Sequence, residues 1–483
     1  MNEGLAKSGN EPFSRTHIPG LDEVIPGFPR GGLVLVSGLP GSGKTIFGMS
    51  YIYYGAVEAD EPGVYVSAYE GRNRFLQLSK RLGMDFENLM ENGLVEHIWM
   101  PVVKEFGVTS TANMILEQVE MMKAKRLVID SFTAIKESFK EPNEARIFLQ
   151  SLLSKVLEEL QCTTLLIKEG ESLPGSIEFE EYVADAVIFL KRGYFEDKVI
   201  RILEITKLRG ANIPYPRSVY TIKKGIKLLS SIRLPKTRES VPKTLESWPP
   251  DPPGMYTTGI TDFDHVIGGY PKGSTILIEI DPKCTFMEYS LLVAPTVASF
   301  ILRGGHYVVI PSGGVGPDLL EELYVVHYGV SREVFRERVH IFYEKGAFIN
   351  KKPNVIEFNP KPIEDARRRF IEFGLKLVKE SGGRVITVIG VDRVVRLAKE
   401  EAIHQLALAQ DPVGAYRGLM IWLLKPTEPW LVERLAPLAD VYIKITRKHG
   451  CILVYGVKPR TPLYGIQLDP EKALPIPELI PIV

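Results

Sequence analysis

Short, almost wholly apolar runs alternate along this chain with longer stretches in which apolar residues recur at helical spacing. Leu33–Ser37, Gly63–Ser67, Arg126–Asp130, Thr163–Lys168 and Ala186–Leu190 are the short runs, rich in valine and isoleucine. Ala112–Met122 and Ala145–Leu160 carry the helical period between them. Strands that are apolar on both faces, separated by helices, predict an α/β domain around a mainly parallel, buried sheet. Ile200–Leu208 and Val219–Leu229 predict antiparallel additions at the sheet edge. From Arg233 to Pro253 the pattern stops, and the segment ends in Pro249-Pro250-Asp251-Pro252-Pro253. Such a polar, proline-rich stretch cannot build a core and predicts a stiff, extended linker. The α/β pattern then resumes. A final apolar segment carries Pro475, Pro477 and Pro481, which exclude a helix and predict an extended tail on its own or a neighbouring domain. The expected division is a tail over 1–12, a first domain over 13–231, a linker over 232–254, a second domain over 255–470 and a tail over 471–483.

The second domain repeats the first. Pro29-Arg30-Gly31 recurs as Pro271-Lys272-Gly273, and Gly63-Val64-Tyr65-Val66 as Gly305-His306-Tyr307-Val308, both 242 positions later. A period this long is a duplicated domain, not a solenoid unit.

One loop breaks the symmetry. Gly38-Leu39-Pro40-Gly41-Ser42-Gly43-Lys44-Thr45 fits G-x-x-x-x-G-K-[ST] between a strand run and a helix run. Glycines let the loop amides converge on a phosphate at the helix N-terminus; Lys44 reaches the β- and γ-phosphates, and the Thr45 hydroxyl ligates Mg2+. The cofactor expected from this pattern is ATP with Mg2+. Under the same offset Gly38, Gly41, Gly43, Lys44 and Thr45 become Ile280, Lys283, Thr285, Phe286 and Met287, and only the proline (Pro40, Pro282) survives. The expectation is one nucleotide per chain.

The strand Arg126–Asp130 ends in a carboxylate, which makes Asp130 the candidate second metal ligand; an aspartate there is also a common turn or cap residue. Hydrolysis needs a group that orients or deprotonates water. Glu70, just past one strand run, and Glu169, just past another, are the candidates.

The 59 basic and 59 acidic residues cancel, so the overall charge does not favour nucleic acid, although a local basic groove is compatible with it. Cys162, Cys284 and Cys451 have neither disulfide nor metal-ligand spacing, and no apolar run approaches the ~20 residues of a membrane span. A polar start with no signal-peptide core completes the expectation of a cytoplasmic protein with no membrane span.

With these residues assembled, the first domain resembles the KaiC family within the RecA-type P-loop ATPases. The resemblance rests on Ile18-Pro19-Gly20-Leu21-Asp22-Glu23-Val24, Pro29-Arg30-Gly31, the loop, Tyr65-Val66-Ser67, Arg81-Leu82-Gly83, Val128-Ile129-Asp130-Ser131, Thr163-Thr164, Glu181-Tyr182-Val183-Ala184-Asp185 and Lys207-Leu208-Arg209-Gly210. It implies two tandem RecA-like α/β domains with helices on both sheet faces, and a homohexameric ring with ATP at subunit interfaces. It also implies that Lys207 and Arg209 reach the γ-phosphate of the neighbour's site. The family carries two adjacent glutamates after the second strand; here the first is Tyr69 and only Glu70 is acidic. A phenol with a pKa near 10 is a poor base, so the resemblance implies intact binding and slow hydrolysis.

In the second domain the offset maps Glu70 to Ser312, and the strand Val385–Ile389 ends in Gly390 rather than an acid. Ala439-Asp440 echoes Ala184-Asp185, and Lys458 and Arg460 echo Lys207 and Arg209, as relics or as contacts holding a second tier together. Ser312-Gly313-Gly314-Val315-Gly316 is a weak signal for a phosphate nest, and Arg367-Arg368-Arg369 predicts a solvated helix face. The implied function is an ATP-dependent regulatory or assembly switch with an unidentified protein partner. A DNA recombination or repair accessory ATPase, a non-hydrolysing ATP sensor and a self-phosphorylating kinase are the alternatives.

Overall fold

The computed structural model describes residues 12–100, 108–139, 141–152, 155–156, 159–170, 178–229, 231–232, 248–346, 352–425, 429–469, 472 and 474–483. Most of the expected linker, at 233–247, and the first eleven residues lie outside them. The chain forms two compact units, the first ending at Ser230 and the second spanning Ser231–Ile480, with Pro481–Val483 grouped with the first.

The first unit is built on a nine-stranded sheet. Its strands are β1 (Leu33–Gly38), β2 (Gly63–Ser67), β3 (Val95–Trp99), β4 (Arg126–Asp130), β5 (Thr163–Glu169), β6 (Ala186–Phe195), β7 (Lys198–Leu208), β8 (Arg217–Thr221) and β9 (Lys227–Leu229), in the order β9-β8-β7-β6-β1-β5-β4-β2-β3. The strands from β6 across to β3 run parallel, and β7, β8 and β9 add antiparallel. Side-chain alternation divides the core into two layers. Val34, Val36, Tyr65 and Val128 face one side with Phe47 and Ile52 of helix α1 (Lys44–Ala59). Leu33, Leu35, Val64, Val66, Leu127 and Ile129 face the other. Every residue of β1 is buried. The chain leaves β1 and passes over β5 and β4 to reach β2, while β6 lies on the other side. The C-terminal end of β1 is therefore a topological switch point, where open α/β sheets bind ligands.

Arg126, 1% exposed, ties this unit together. Its guanidinium pairs with Glu61 at 2.6 Å and donates to the carbonyls of Arg15 (2.8 Å), Thr16 (2.9 Å) and Tyr51 (2.7 Å). The leading segment, α1 and β4 are thereby joined at one cation. Gly55 makes the room, since a Cβ there would meet Arg126 Nε at 2.2 Å.

The second unit repeats the plan around a ten-stranded sheet. Its strands are β10 (Thr275–Ile280), β11 (His306–Ile310), β12 (Val339–Glu344), β13 (Val355–Phe358), β14 (Val385–Gly390), β15 (Leu419–Leu424), β16 (Val441–Lys448), β17 (Cys451–Lys458), β18 (Tyr464–Gln467) and β19 (Glu478–Pro481), in the order β13-β12-β11-β14-β15-β10-β16-β17-β18-β19. β10 begins and ends 242 positions after β1, and helix α8 (Phe286–Leu302) starts 242 after α1. In the first unit, helix α2 covers Phe132–Ser138 and α3 covers Phe179–Val183. The leading segments match in detail. Asp22 accepts from the Thr16 amide (2.9 Å), and Asp264 accepts from the Thr258 amide (2.7 Å). Both are α/β units, as the alternation of the chain predicts, and RecA-like, as the family resemblance implies.

Replacing Arg126 by methionine should strand Glu61 and three carbonyls, costing ~3–5 kcal/mol. The expected result is a lower urea midpoint for the first unit's transition, followed by circular dichroism.

Candidate functional site

At the C-terminal end of β1 the chain makes a loop that only glycine allows. Gly38, Gly41 and Gly43 take φ values of 158°, 77° and 97°. A Cβ on Gly38 would meet the Leu190 carbonyl oxygen at 2.3 Å. The loop's carbonyls are tied back: Arg201 donates to Gly41 O at 2.8 Å, and the Tyr220 hydroxyl to Ser42 O at 2.5 Å. With those acceptors engaged, the loop's polar capacity that remains is donor in character. Gly43 heads α1 in the left-handed region with no side-chain cap. The Ser42 hydroxyl is buried without a partner.

Lys44 is 9% exposed and lies over this loop, donating to the carbonyls of Gly38 (2.8 Å) and Leu39 (3.2 Å). Burial draws its pKa down, opposed by the charges of Glu169 and Asp130. An ammonium so enclosed gains from an incoming anion. Asp130 accepts from the Tyr65 hydroxyl at 2.7 Å, and the Thr45 side chain lies close enough to favour its charged form. Burial pushes its carboxyl above the usual range, while Tyr65, Thr45 and the Lys44 charge pull it down. A cation beside Asp130 and Thr45 would offset the same burial. Among the described residues no cluster of three or more His, Cys, Asp or Glu could hold a metal by itself. That suits Mg2+, which takes one or two protein ligands and completes its shell with water and phosphate. The uncapped helix, the orphaned Ser42 hydroxyl and the Thr45–Asp130 pair fit Mg·ATP.

Glu70 and Glu169 reach the same edge of the sheet. Glu70 carries a buried carboxylate oxygen, Oε2, without a partner, and its amide donates to Ser67 Oγ at 3.0 Å. Glu169 is the last residue of β5 and accepts from Ser131 Oγ at 3.3 Å. Tyr69 is exposed, and its phenol lies within the influence of Ser131, Glu169, Glu137 and Asp130. Burial and the surrounding carboxylates, Glu169 foremost, raise its pKa further above 10.

Lys207 and Arg209 are elsewhere. Arg209 pairs with Asp185 at 3.0 Å, and Asp185 accepts from the Leu33 amide at 2.9 Å. Leu33 begins β1 and Gly38 ends it. At ~3.3 Å per residue the two ends of the strand are ~16 Å apart. Lys207 and Arg209 therefore lie toward the sheet edge opposite their own loop. Both also donate to α3, Lys207 to the carbonyls of Glu181 (3.1 Å) and Tyr182 (2.9 Å) and Arg209 to Tyr182 (3.4 Å). Lys136 and Lys168 hold that helix through Glu180 (2.8 Å) and Glu178 (2.9 Å).

The equivalent place in the second unit is filled. Thr285 caps α8 in a full capping box: Glu288 accepts from the Thr285 amide at 2.7 Å, and Thr285 Oγ1 accepts from the Glu288 amide at 3.4 Å. Asp281 accepts from the Lys283 amide (2.9 Å), the Thr446 hydroxyl (3.1 Å) and the Arg447 amide (3.4 Å). Burial opposes its charge, but these donors outweigh burial and hold its carboxyl below the usual range. The chain's own carboxylates thus sit where the first unit presents donors. Gly390, in the Asp130 position, has the Ser312 backbone packed against it, so that a Cβ would meet Ser312 N at 2.5 Å. The glycine-rich loop is no phosphate nest, since the Gly313 amide donates to Asp392 at 2.6 Å. Lys458 donates to Ala439 O within its own unit at 2.8 Å. Arg367 is only half-buried and donates to Gln405 at 2.9 Å, so the basic run is not wholly a solvated face.

Tyr65, Arg201 and Tyr220 were not legible as site residues. The one sequence signal was a polar group, Arg201, inside the apolar run Ile200-Arg201-Ile202.

Residues 14–232 match the family described as "ATPase: KaiC". The chain is 29% identical over 278 residues to the circadian clock oscillator protein KaiC of Synechococcus elongatus, covering 54% of this chain and 51% of that one. It spans about half the length of the KaiC relatives it matches. Protein GvpD2 of Halobacterium salinarum is 24% identical over 512 residues, covering 95% of this chain and 97% of that one. A solved structure, that of a KaiC-like protein from Pyrococcus horikoshii OT3, is 32% identical with a TM-score of 0.41, covering 45% of this chain and 98% of that one.

Because the second site is filled rather than merely stripped, Phe286→Lys with Gly390→Asp should not create a nucleotide site. Calorimetric titration with Mg·ADP is expected to give the wild-type stoichiometry. Gly390→Asp alone should lower the second unit's thermal midpoint, because Ser312 must move.

Proposed function

This chain belongs to the KaiC-like family of RecA-type P-loop ATPases, and from that premise we propose that it binds one Mg·ATP per chain as a nucleotide-dependent assembly or regulatory switch. The observation that carries the reading is the contrast between the open head of α1 and the self-capped head of α8. Lys44, Ser42 and the glycine loop hold the phosphates, and Thr45 with Asp130 hold the cation. When bound, Mg2+ supplies charge stabilisation for the transferring phosphoryl group.

Arg201 of β7 reaches the chain's own loop, but its guanidinium is engaged by the Gly41 carbonyl, which leaves Lys207 and Arg209 as the finger candidates at the end of that strand. Lys207 and Arg209 lie toward the far edge of their own sheet, so they serve a triphosphate only in a second copy. That supports a ring with ATP between subunits. In the single chain both side chains rest on carbonyls of α3, so engaging a neighbour exchanges those contacts for phosphate.

Turnover is slow in this reading. The position for a water-activating carboxylate holds Tyr69, whose phenol is raised still further above neutral pH. Glu70 is adjacent but turned inward, with a buried oxygen. The same observation favours a second reading, an ATP sensor that assembles without cleaving. The circadian clock function in the names of the KaiC relatives supports a regulatory role here; the partner of such a switch would be another protein.

Two measurements test this. Lys44→Ala and Arg209→Ala should each be inactive in single-turnover hydrolysis, and mixing them should restore part of the rate, because each supplies what the other lacks. No recovery in co-assembled rings removes the trans arrangement. Tyr69→Glu should raise the single-turnover rate by on the order of 10²-fold, the scale of a general base. An unchanged rate would mean that water activation does not limit this site.

A further inference from the structure

Tyr65 is fully enclosed in the first unit, at 1% exposure. β2 places it opposite Val128 of β4, two residues before Asp130, and opposite His97 of β3. Its ring packs against Phe75, with centroids 4.9 Å apart, and stacks on His97 at 6.1 Å. On the α1 side Gly48 lets the helix approach, since a Cβ there would lie 3.3 Å from the Tyr65 ring. Packing of this kind fixes where the hydroxyl points. It donates to Asp130 Oδ2 at 2.7 Å.

The carboxylate of Asp130 is thus held by Tyr65 from the core, and the Thr45 side chain at the first turn of α1 lies near it. We propose that Tyr65 is a positioning residue for the divalent cation: by engaging one oxygen of Asp130 it sets the carboxylate's rotation toward Thr45 and so the affinity of the metal site. This rests on the Mg·ATP reading above. A phenylalanine would keep the ring packing and remove only the donor. Asp130 would then rotate more freely and carry a buried oxygen without its partner, both of which weaken an ordered metal site.

The test uses the full-length protein, with Mn2+ as the probe metal and ADP as the nucleotide. Tyr65→Phe and wild type are compared for ADP affinity in excess EDTA and for Mn2+ affinity in the ADP complex, followed by electron paramagnetic resonance. The expected result is ADP binding in EDTA within about two-fold of wild type, Mn2+ binding weakened ~10–100-fold, and broadened Mn2+ lines. Asp130→Asn should show the same separation, to a larger extent. Unchanged Mn2+ affinity and line shape in Tyr65→Phe would overturn the proposal. Equal losses of ADP binding with and without metal would also overturn it, by making Tyr65 a packing residue only. If wild type binds no ADP under either condition, the nucleotide reading fails and the positioning role falls with it.

Discussion

A helix must satisfy the amides of its first turn, and the two halves of this chain do so in opposite ways. α1 begins at Gly43 with no side-chain cap, beneath a loop whose carbonyls are held back by Arg201 and Tyr220. α8 begins at Thr285 with a complete capping box from Glu288. An uncapped helix head beside a buried lysine attracts an anion. A head already served by a carboxylate repels one. Sequence identity at the loop decides this, because Gly43 brings no cap and Thr285 with Glu288 brings a full one. The asymmetry of the molecule follows from that choice.

The same sheet sorts the candidate residues onto its two edges. Parallel strands place Lys44, Thr45, Asp130, Glu70 and Glu169 at one edge, since each ends or follows a strand there. The antiparallel return of β7 carries Lys207 and Arg209 back toward the other edge, where Asp185 also anchors the first amide of β1. Asp440 plays that anchoring part in the second unit, accepting from the Thr275 amide at 2.9 Å. The Ala-Asp motif that persists in both domains is thus structural, which is why it survives where the phosphate loop does not.

Much of this was legible in the chain. The apolar runs at Leu33, Gly63, Arg126, Thr163 and Ala186 gave their strands, because strands buried on both faces leave nearly continuous apolar stretches. Val95–Trp99 was missed: Glu96 and His97 interrupt the pattern in a strand at the sheet edge. The phosphate loop carried its own chemistry, and the 242-position offset exposed its loss. What replaced it was partly readable, since Thr285-x-x-Glu288 has the spacing of a capping box. The packing of Ser312 against Gly390 was not, because it depends on the approach of two strands distant in sequence. The grip of Tyr65 on Asp130 was hidden for the same reason. A tyrosine in an apolar strand reads as core until the neighbouring strand shows where its hydroxyl ends.

In the proposed reading each chain offers one nucleotide site, completed only by another copy. Native mass spectrometry of the wild-type protein assembled with Mg2+ and a non-hydrolysable ATP analogue tests it most directly. One nucleotide per chain is expected in every assembled species, with assembly that disappears when the nucleotide is removed. Two nucleotides per chain, or full occupancy on isolated monomers with no tendency to assemble, would contradict it.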